Sequence, residues 1–439
     1  MTHVVLCMSD AEQRMADALD DLNHVFVEFP DLNGLSRSKQ LDASYFADRW
    51  RDGVSINLSL LTQTARSDVV EGSRYGDRMD YADGLLRPDP TTFRRLPWRD
   101  DTARVIGDVE HEGTLVAGAP RTVLKRICDA AADHGLTLTV GSELEFSLLD
   151  RATDDYEPTT TEKHECLTTA MEDVSPFYDT LYERAPAFDI DLETFHHEFG
   201  AGQLEVLFDY GGPLSEADRT FRFKQLVKRT ARDCGHHATF MAKPFTEWAG
   251  NGYHLHVGGR RDGVNAFADG EELSETGRQF VAGLLEHADA LTALGTPTLN
   301  GFKRHQPGTF APYTASWGYD NRYAAIRIPS QGTVRVENRI ASADANPYLV
   351  IAATIAAGLD GIERGYELEP ASEGDPVGDR PRLPATPRHA LDALEADDVL
   401  VDALGEPVIG EYARLCRQEL ERFYEETTVW ERNRYAETL

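Results

Sequence analysis

Lysine is scarce in this sequence: seven of its 44 basic residues are Lys, against 75 Asp and Glu, for a formal net charge of -31. A surface so acidic repels nucleic acid and anionic membranes, which excludes functions that rest on a basic patch. Such an excess of acid with so little lysine is expected of a protein adapted to concentrated salt, where screening removes the self-repulsion; an acidic protein of ordinary cytosol is the alternative. Cysteine is sparse too. The five (Cys7, Cys128, Cys166, Cys234 and Cys416) are odd in number and scattered, with no C-x-x-C pair. They indicate neither a disulfide framework nor a thiolate metal site, and read as small buried hydrophobes. No apolar run reaches the roughly 18 residues of a membrane span, and the opening MTHVVLCMSDAEQRMADALDDL lacks the basic flank and cleavage site of a secretory signal. The expectation is a cytoplasmic protein with no membrane or nucleic-acid partner.

What is present is enough chain for a sizeable core: 439 residues, 41% hydrophobic, pointing to two or three domains. An amphipathic segment from Ala11 to Leu22 precedes two alternating runs, HVFVEFPDLNG and GVSINLSLLTQ, that predict a small sheet-containing unit. RPDPTTFRRLPWRDD, from Arg87 to Asp101, is dense in Pro and charge; it reads as loop and as the first domain boundary. Beyond it, strands alternate with longer helices, which is α+β material. RTVLKRICDAAADHG predicts a helix ending at Gly135, and LTLTVGSELEFSLLD a strand. Further helices are predicted at Glu216 to Gly235, at Glu275 to Leu294 and, apolar on nearly every face and hence buried, at Asn346 to Gly365. Glu367 to Pro387 reads as a surface loop and Pro407 to Tyr435 as a polar helical tail.

Three clusters carry chemistry. In V-G-S-E-L-E-F, Glu143 and Glu145 share one face of a strand, with Leu144 and Phe146 on the other. Two adjacent carboxylates attract a cation, although a solvated strand face would look the same. H-H-E-F-G-A-G-Q-L-E-V adds Glu198 and Glu205, and N-G-Y-H-L-H-V-G adds His254 and His256. An H-x-H alone is more often a hydrogen-bonded core pair. With four acidic groups elsewhere, the balance moves to a site of oxygen ligands and one imidazole, suited to Mg2+ or Mn2+ rather than to structural zinc. In T-V-R-V-E-N-R-I, Arg335, Glu337 and Arg339 alternate with apolar residues on a predicted strand, and Arg304, Arg322 and Arg327 lie in flanking segments. Each Arg alone reads as a salt bridge of an acidic chain. Together with the carboxylates they describe a site handling an anionic substrate and a metal at once, as phosphoryl transfer requires.

These segments, GSELEF, HHEFGAGQLEV, ATFMAKPF, NGYHLHVG, FKRHQPGTFAP, DNRYAAIRIP and VENRIASADANPYLVIAATIAAGLDGI, stand in the order and spacing of the glutamine synthetase family, which the chain resembles from about Asp52 onward. MDYADGLLRPDPTTFRRLPW also matches the family's linker. The resemblance implies an N-terminal β-grasp-like domain, 1–105, and a large catalytic α/β domain, 106–439, assembled in a homo-oligomeric double ring with each site between subunits. It implies that Glu145, Glu198 and Glu205 hold one metal and Glu143, His254 and Glu337 the other. It places Arg304, Arg339 and Gly250 at glutamate, Arg322 and Arg327 at the transferring phosphate, His256 and Arg335 at ATP, and Asp52 in the neighbouring subunit's site. The implied reaction activates glutamate as γ-glutamyl phosphate, which an amine attacks.

The sequence departs from the family in one telling place. Where ammonia-using members carry P-G-Y-E-A-P, this chain reads P-G-T-F-A-P, so Phe310 replaces the Glu that closes the site and takes a proton from ammonium. Phenylalanine can do neither, but it can pack against an alkyl chain and offer its face to a cation. A larger amine follows as the expected acceptor: a polyamine, a monoamine or ethanolamine. A-G-N-G (Ala249 to Gly252) replaces the family's N-G-S-G, and Gly258 stands for a Ser, both at the site's edge. VEFPDLNGLSRSK also resembles the members that glutamylate polyamines. Ammonia remains the alternative if another acid, such as Asp52, suffices. A non-catalytic regulator is opposed by the filled metal and arginine positions.

Overall fold

A computed structural model describes residues 8–151, 156–160 and 163–439, so Cys7 lies outside the described residues. The first unit is a mixed sheet built of β1 (His24–Pro30), β2 (Ser36–Asp42), β3 (Val54–Asn57), β4 (Asp83–Pro88), β5 (Arg94–Leu96), β6 (Arg99–His111) and β7 (Thr114–Leu115). Its order is β2-β1-β6-β4-β3, with β5 and β7 also pairing with β6. The hairpin partners β1 and β2 are antiparallel, but β1 runs parallel to β6. Helix Ala43–Arg49, started by the Asp42 carboxylate accepting from the amides of Ser44 and Tyr45, follows the hairpin. This is the β-grasp arrangement. Val25, Val27, Phe46, Leu58 and Val105 fill a core of its own, separate from the larger one.

The Pro-rich stretch from Arg87 to Asp101 is not all loop. Leu96 is buried and Arg94–Leu96 pairs with β6, while Pro88 and Pro90 sit at the ends of short elements, where a missing amide costs no ladder bond. β6 then passes unbroken through residue 105, and the chain leaves this sheet after β7.

The second unit is centred on β8 (Thr137–Asp150), with β9 (Leu192–His197), β10 (Gln203–Phe208), β11 (His236–Thr239), β12 (Tyr253–Arg261) and β13 (Val264–Asn265). The small hairpin β14 (Ala268–Asp269) and β15 (Glu272–Leu273) precedes β16 (Trp317–Tyr319), β17 (Ile326–Ile328) and β18 (Val336–Asn338). Among the described residues nine strands make one sheet, ordered β16-β17-β18-β12-β8-β10-β9 with β11 and β13 attached. Helices cover one face. Pro213–Asp233 packs behind β8, where Ser142 and Thr220 share a hydrogen bond of 2.8 Å. Pro347–Arg364 is buried along nearly its whole length, as its sequence predicts. Its Asn346 cap also donates to the carbonyls of Asp31 and Leu32, tying the two units together. It crosses helix Glu275–Glu286 so closely that a Cβ on Gly283 would lie 2.1 Å from the Ala357 carbonyl oxygen. No helix among the described residues is long and apolar enough to cross a membrane.

Three sequence expectations need correction. The helix expected from Glu275 to Leu294 is broken at His287, the tail divides between Glu406–Glu425 and Val429–Tyr435, and Cys166 is exposed. The tail breaks because Thr428 caps a new helix with Glu431. The break falls at His287, whose Nδ1 lies 2.7 Å from Asp397 and whose Nε2 lies 3.1 Å from Asp360, so a carboxylate faces each ring nitrogen and the pair favours the imidazolium form. Burial opposes that charge, but the hydrogen bonds and charges of the two aspartates raise its pKa above the usual value. A raised folded pKa gives stability that is complete below the unfolded value of about 6.5 and lost as pH climbs through the folded one. Calorimetric melting across this range is expected to show a falling Tm in the wild type and a flatter profile in His287→Gln.

Candidate active site

The open face of the nine-stranded sheet gathers the ionisable residues, and strand register is the cause. On β8, Val140, Ser142, Leu144 and Phe146 are buried, which turns Gly141, Glu143 and Glu145 to the other face. Pairing sets His254 opposite Glu143, Glu205 opposite Glu145, and His196 opposite Glu205. One row further on, Glu337 faces His256 on one side and Arg327 on the other.

The contacts are short. His254 Nδ1 is 2.5 Å from Glu143 and 3.9 Å from Glu337, its Nε2 is 3.8 Å from Glu145, and His256 Nε2 is 3.3 Å from the other Glu143 oxygen. Glu337, fully buried, accepts from Arg339 at 2.5 Å and from Arg327 at 2.8 Å. Glu145 accepts from Gln203 at 2.7 Å and from the Gly252 amide at 2.8 Å. His196 lies 2.9 Å from Glu198 and 3.3 Å from Glu205. A side chain at Gly252 would collide with Arg304 and His254, each 2.8 Å from its Cβ, so glycine is what lets the cluster close.

Burial pushes the Glu205 carboxyl well above its ordinary range, and the charges of Glu143, Glu145 and Glu198 push the same way. Glu145 is raised by burial and by Glu198. Burial also acts on Glu143 and Glu337, but His254 holds the first, and Arg339 with the histidines holds the second, well below that range. Crowded carboxylates of this kind fit a divalent cation. Their ligand atoms fall into three groups: Glu143, His254 and Glu205; Glu143, His256 and Glu337; and His196, Glu198 and Glu205. Glu143 and Glu205 each belong to two groups. The donors, mainly carboxylate oxygen with imidazole, suit Mg2+ or Mn2+.

Beside the cluster, a cavity of about 320 Å³ opens between β8, β12 and the segment before β18, lined by Glu143, His256 and Arg335. Arg335 bridges to His256 Nδ1 at 3.3 Å and is steadied by the Gln331 carbonyl at 2.8 Å. Gly258 is in its wall, where a Cβ would come 2.8 Å from the Thr139 hydroxyl, so the glycine and the threonine divide the space between them.

On the far side of Glu337, Arg304 is buried and donates to the carbonyls of Ile340 and Arg339. Burial lowers its pKa to about 10. Gly250 packs against its stem, 3.0 Å from Arg304 Cγ to a built Cβ. Phe310 is half exposed, its ring 5.3 Å from that of Tyr323, and its carbonyl accepts from Arg339 at 3.5 Å. Arg322 stands apart from the carboxylate cluster, exposed in a separate cavity between Tyr319–Tyr323 and Ala371–Gly374. Asp52 is exposed at the end of the turn Trp50–Asp52, on the N-terminal unit. The strand expected through T-V-R-V-E-N-R-I is only Val336–Asn338, so Arg335 and Arg339 sit just outside it, drawn off by His256 and Glu337.

Sequence reading passed over His196, Gln203 and Tyr210. His196 was legible, standing two residues before Glu198; the Gln203 contact with Glu145 and the Tyr210 position in the cavity wall arise from folding across strands.

A family model described as the glutamine synthetase catalytic domain matches residues 117–435. The chain is 35% identical over 440 residues to a gamma-glutamylethanolamide synthetase of Streptomyces coelicolor, covering 96% of this chain and 94% of that protein. It is equally 35% identical, over 456 residues, to a glutamine synthetase of Halobacterium salinarum, covering 98% and 97%. Among solved structures, an ADP complex of GmaS superposes with a TM-score of 0.87 at 31% identity, covering 98% of this chain and all of that one.

Proposed function

The chain belongs to the glutamine synthetase family, and from that premise we propose that it joins the side-chain carboxylate of glutamate to a small organic amine, with ATP as the activating reagent. Phe310 carries the choice of amine: an exposed aromatic ring, paired with Tyr323, borders the side of the site held by Arg339. The relative from Streptomyces, named for a γ-glutamyl ethanolamide, supports the same reading. Ammonia is kept as the second reading because the Halobacterium relative, a glutamine synthetase, is equally similar.

In the proposed sequence a glutamate side-chain oxygen attacks the γ-phosphorus of ATP, releasing ADP and forming γ-glutamyl phosphate. The amine nitrogen then attacks the acyl carbon, the C–O pair leaves with phosphate, and the nitrogen loses a proton. Arg304 and Arg339 orient glutamate through its carboxylates, His256 and Arg335 hold the nucleotide phosphates, and Arg327, beside Glu337, faces the moving phosphoryl group, a step from which the distant Arg322 is left out. Divalent cations, held by Glu145, Glu198 and Glu205 and by Glu143, His254 and Glu337, would screen the phosphate charge. An alkylamine with a pKa near 10 arrives protonated. Asp52 from a neighbouring subunit of a ring is the proton acceptor we propose, since within one chain it stays in a turn of the N-terminal unit. The acidic surface suits a cytoplasm rich in salt.

Phosphate release in molar KCl should require ATP, glutamate, amine and Mg2+ or Mn2+ together; the lack of any glutamate- and metal-dependent release would favour a nucleotide-binding regulator instead.

A further inference from the structure

At the seam between the N-terminal unit and the catalytic unit lies a second cavity, of about 390 Å³, lined by Arg94, Arg219 and Arg222. Three guanidiniums around one space are unexpected unless something anionic meets them, since like charges in a buried site repel strongly. Their own partners do not use them up. Arg222 is 3% exposed, reaches Glu28 only at 3.4 Å, and its Nη2 is buried with no hydrogen-bond partner. Arg219 pairs with Asp209 and Glu216 through its Nη atoms, and Arg94 pairs with Asp189 and two backbone carbonyls, yet in both the buried Nε is left without a partner.

The two carboxylates in the wall do not balance them: Asp189 meets only Arg94, and Asp218 is turned to other partners. Asp218 already takes two hydrogen bonds from Arg121, at 3.0 and 2.9 Å, and one from the Tyr348 hydroxyl at 2.7 Å. Burial, and then the charge of Arg222, lower the Arg94 pKa to about 10. Helix Pro213–Asp233 begins at the same cavity through Ser215, and its Gly212 cap supplies no side-chain acceptor for the first amides. Cation and hydroxyl therefore face one space, the Ser215 hydroxyl keeping its lone pairs for a ligand while it donates to the Gly212 carbonyl at 2.9 Å.

Tyr210 lines both this cavity and the cavity of His256 and Arg335, which the proposed function makes the nucleotide cavity. The next residue, Gly211, exchanges two backbone hydrogen bonds with Val140 on β8, at 2.7 and 2.9 Å, and Val140 is in the nucleotide wall. We propose that this cavity is a second anion site, taking a phosphate-class dianion, and that its occupancy is coupled to the nucleotide cavity through Tyr210 and Gly211. The site is independent of which amine the enzyme uses.

Inorganic phosphate is the probe, titrated calorimetrically into protein saturated with ADP and Mg2+, in an Arg327→Gln background that removes the phosphate contact of the reaction site. Phosphate should still bind there, and adding Arg94→Gln or Ser215→Asp should each weaken it about tenfold or more. Ser215 is exposed at a helix start, where Asp is tolerated, so a folding defect in one variant leaves the other informative. In the wild type, phosphate should also change ADP affinity about threefold, a shift that Ser215→Asp removes. Phosphate binding that disappears with Arg327→Gln, or that ignores both Arg94→Gln and Ser215→Asp, would overturn the site. An ADP affinity blind to phosphate would overturn the coupling.

Discussion

Glu143→Gln is expected to lower kcat/KM on the order of 10^3-fold and to raise the divalent-metal concentration needed for half-maximal rate. Glu143 stands between the two histidines, 2.5 Å from His254 and 3.3 Å from His256, and belongs to two of the three groups able to hold a cation. The amide keeps size and shape and can still accept from an imidazole, so the fold should survive. What is lost is one negative charge among ligands whose purpose is to hold cations against phosphate. Steady-state kinetics over a metal titration, with melting as a control, checks it. Full activity at ordinary metal concentration would remove Glu143 from the site.

Phe310→Glu is expected to lower the ratio of organic-amine to ammonium kcat/KM by about 10^2. The substitution removes an apolar ring face, worth roughly 1–3 kcal/mol to an alkyl substituent, and supplies a carboxylate that attracts ammonium and accepts its proton. Because Phe310 is half exposed, stability should change little. Because the backbone carbonyl, and not the ring, meets Arg339, the KM for glutamate should stay near its wild-type value. Competition between amines in one reaction, resolved by product mass, measures the ratio directly.

Much of this was legible in the sequence because a strand alternates. Two carboxylates spaced two apart in V-G-S-E-L-E-F had to share a face, and the apolar residues between them had to be buried, which is how β8 is built. The helix from Asn346 to Gly365 announced itself by composition, and the structure shows it capped by Asn346 and ended by Gly365 at φ 64°. Pairing across strands was not legible. Nothing in the residues alone puts His196 opposite Glu205 or joins Arg327 to Glu337, since those neighbours are fixed by register between distant segments. Proline misled at Arg87 to Asp101, where it marks the ends of short elements rather than a loop, and the helix breaks at His287, whose ring lies between Asp360 of another helix and the cap residue Asp397. The arginine-lined cavity at the seam of the two units was invisible for the same reason, as Arg94, Arg219 and Arg222 meet only after folding.

The measurement that bears most directly on the account is phosphate release with ATP, glutamate and Mg2+ or Mn2+ in high salt, comparing ammonium with ethanolamine, a simple alkylamine, putrescine and spermidine, with each product identified by mass. The account predicts a clear preference for an organic amine and a matching γ-glutamyl amide. A preference for ammonium, with glutamine as product, would contradict it and make Phe310 a neutral feature of an ordinary glutamine synthetase.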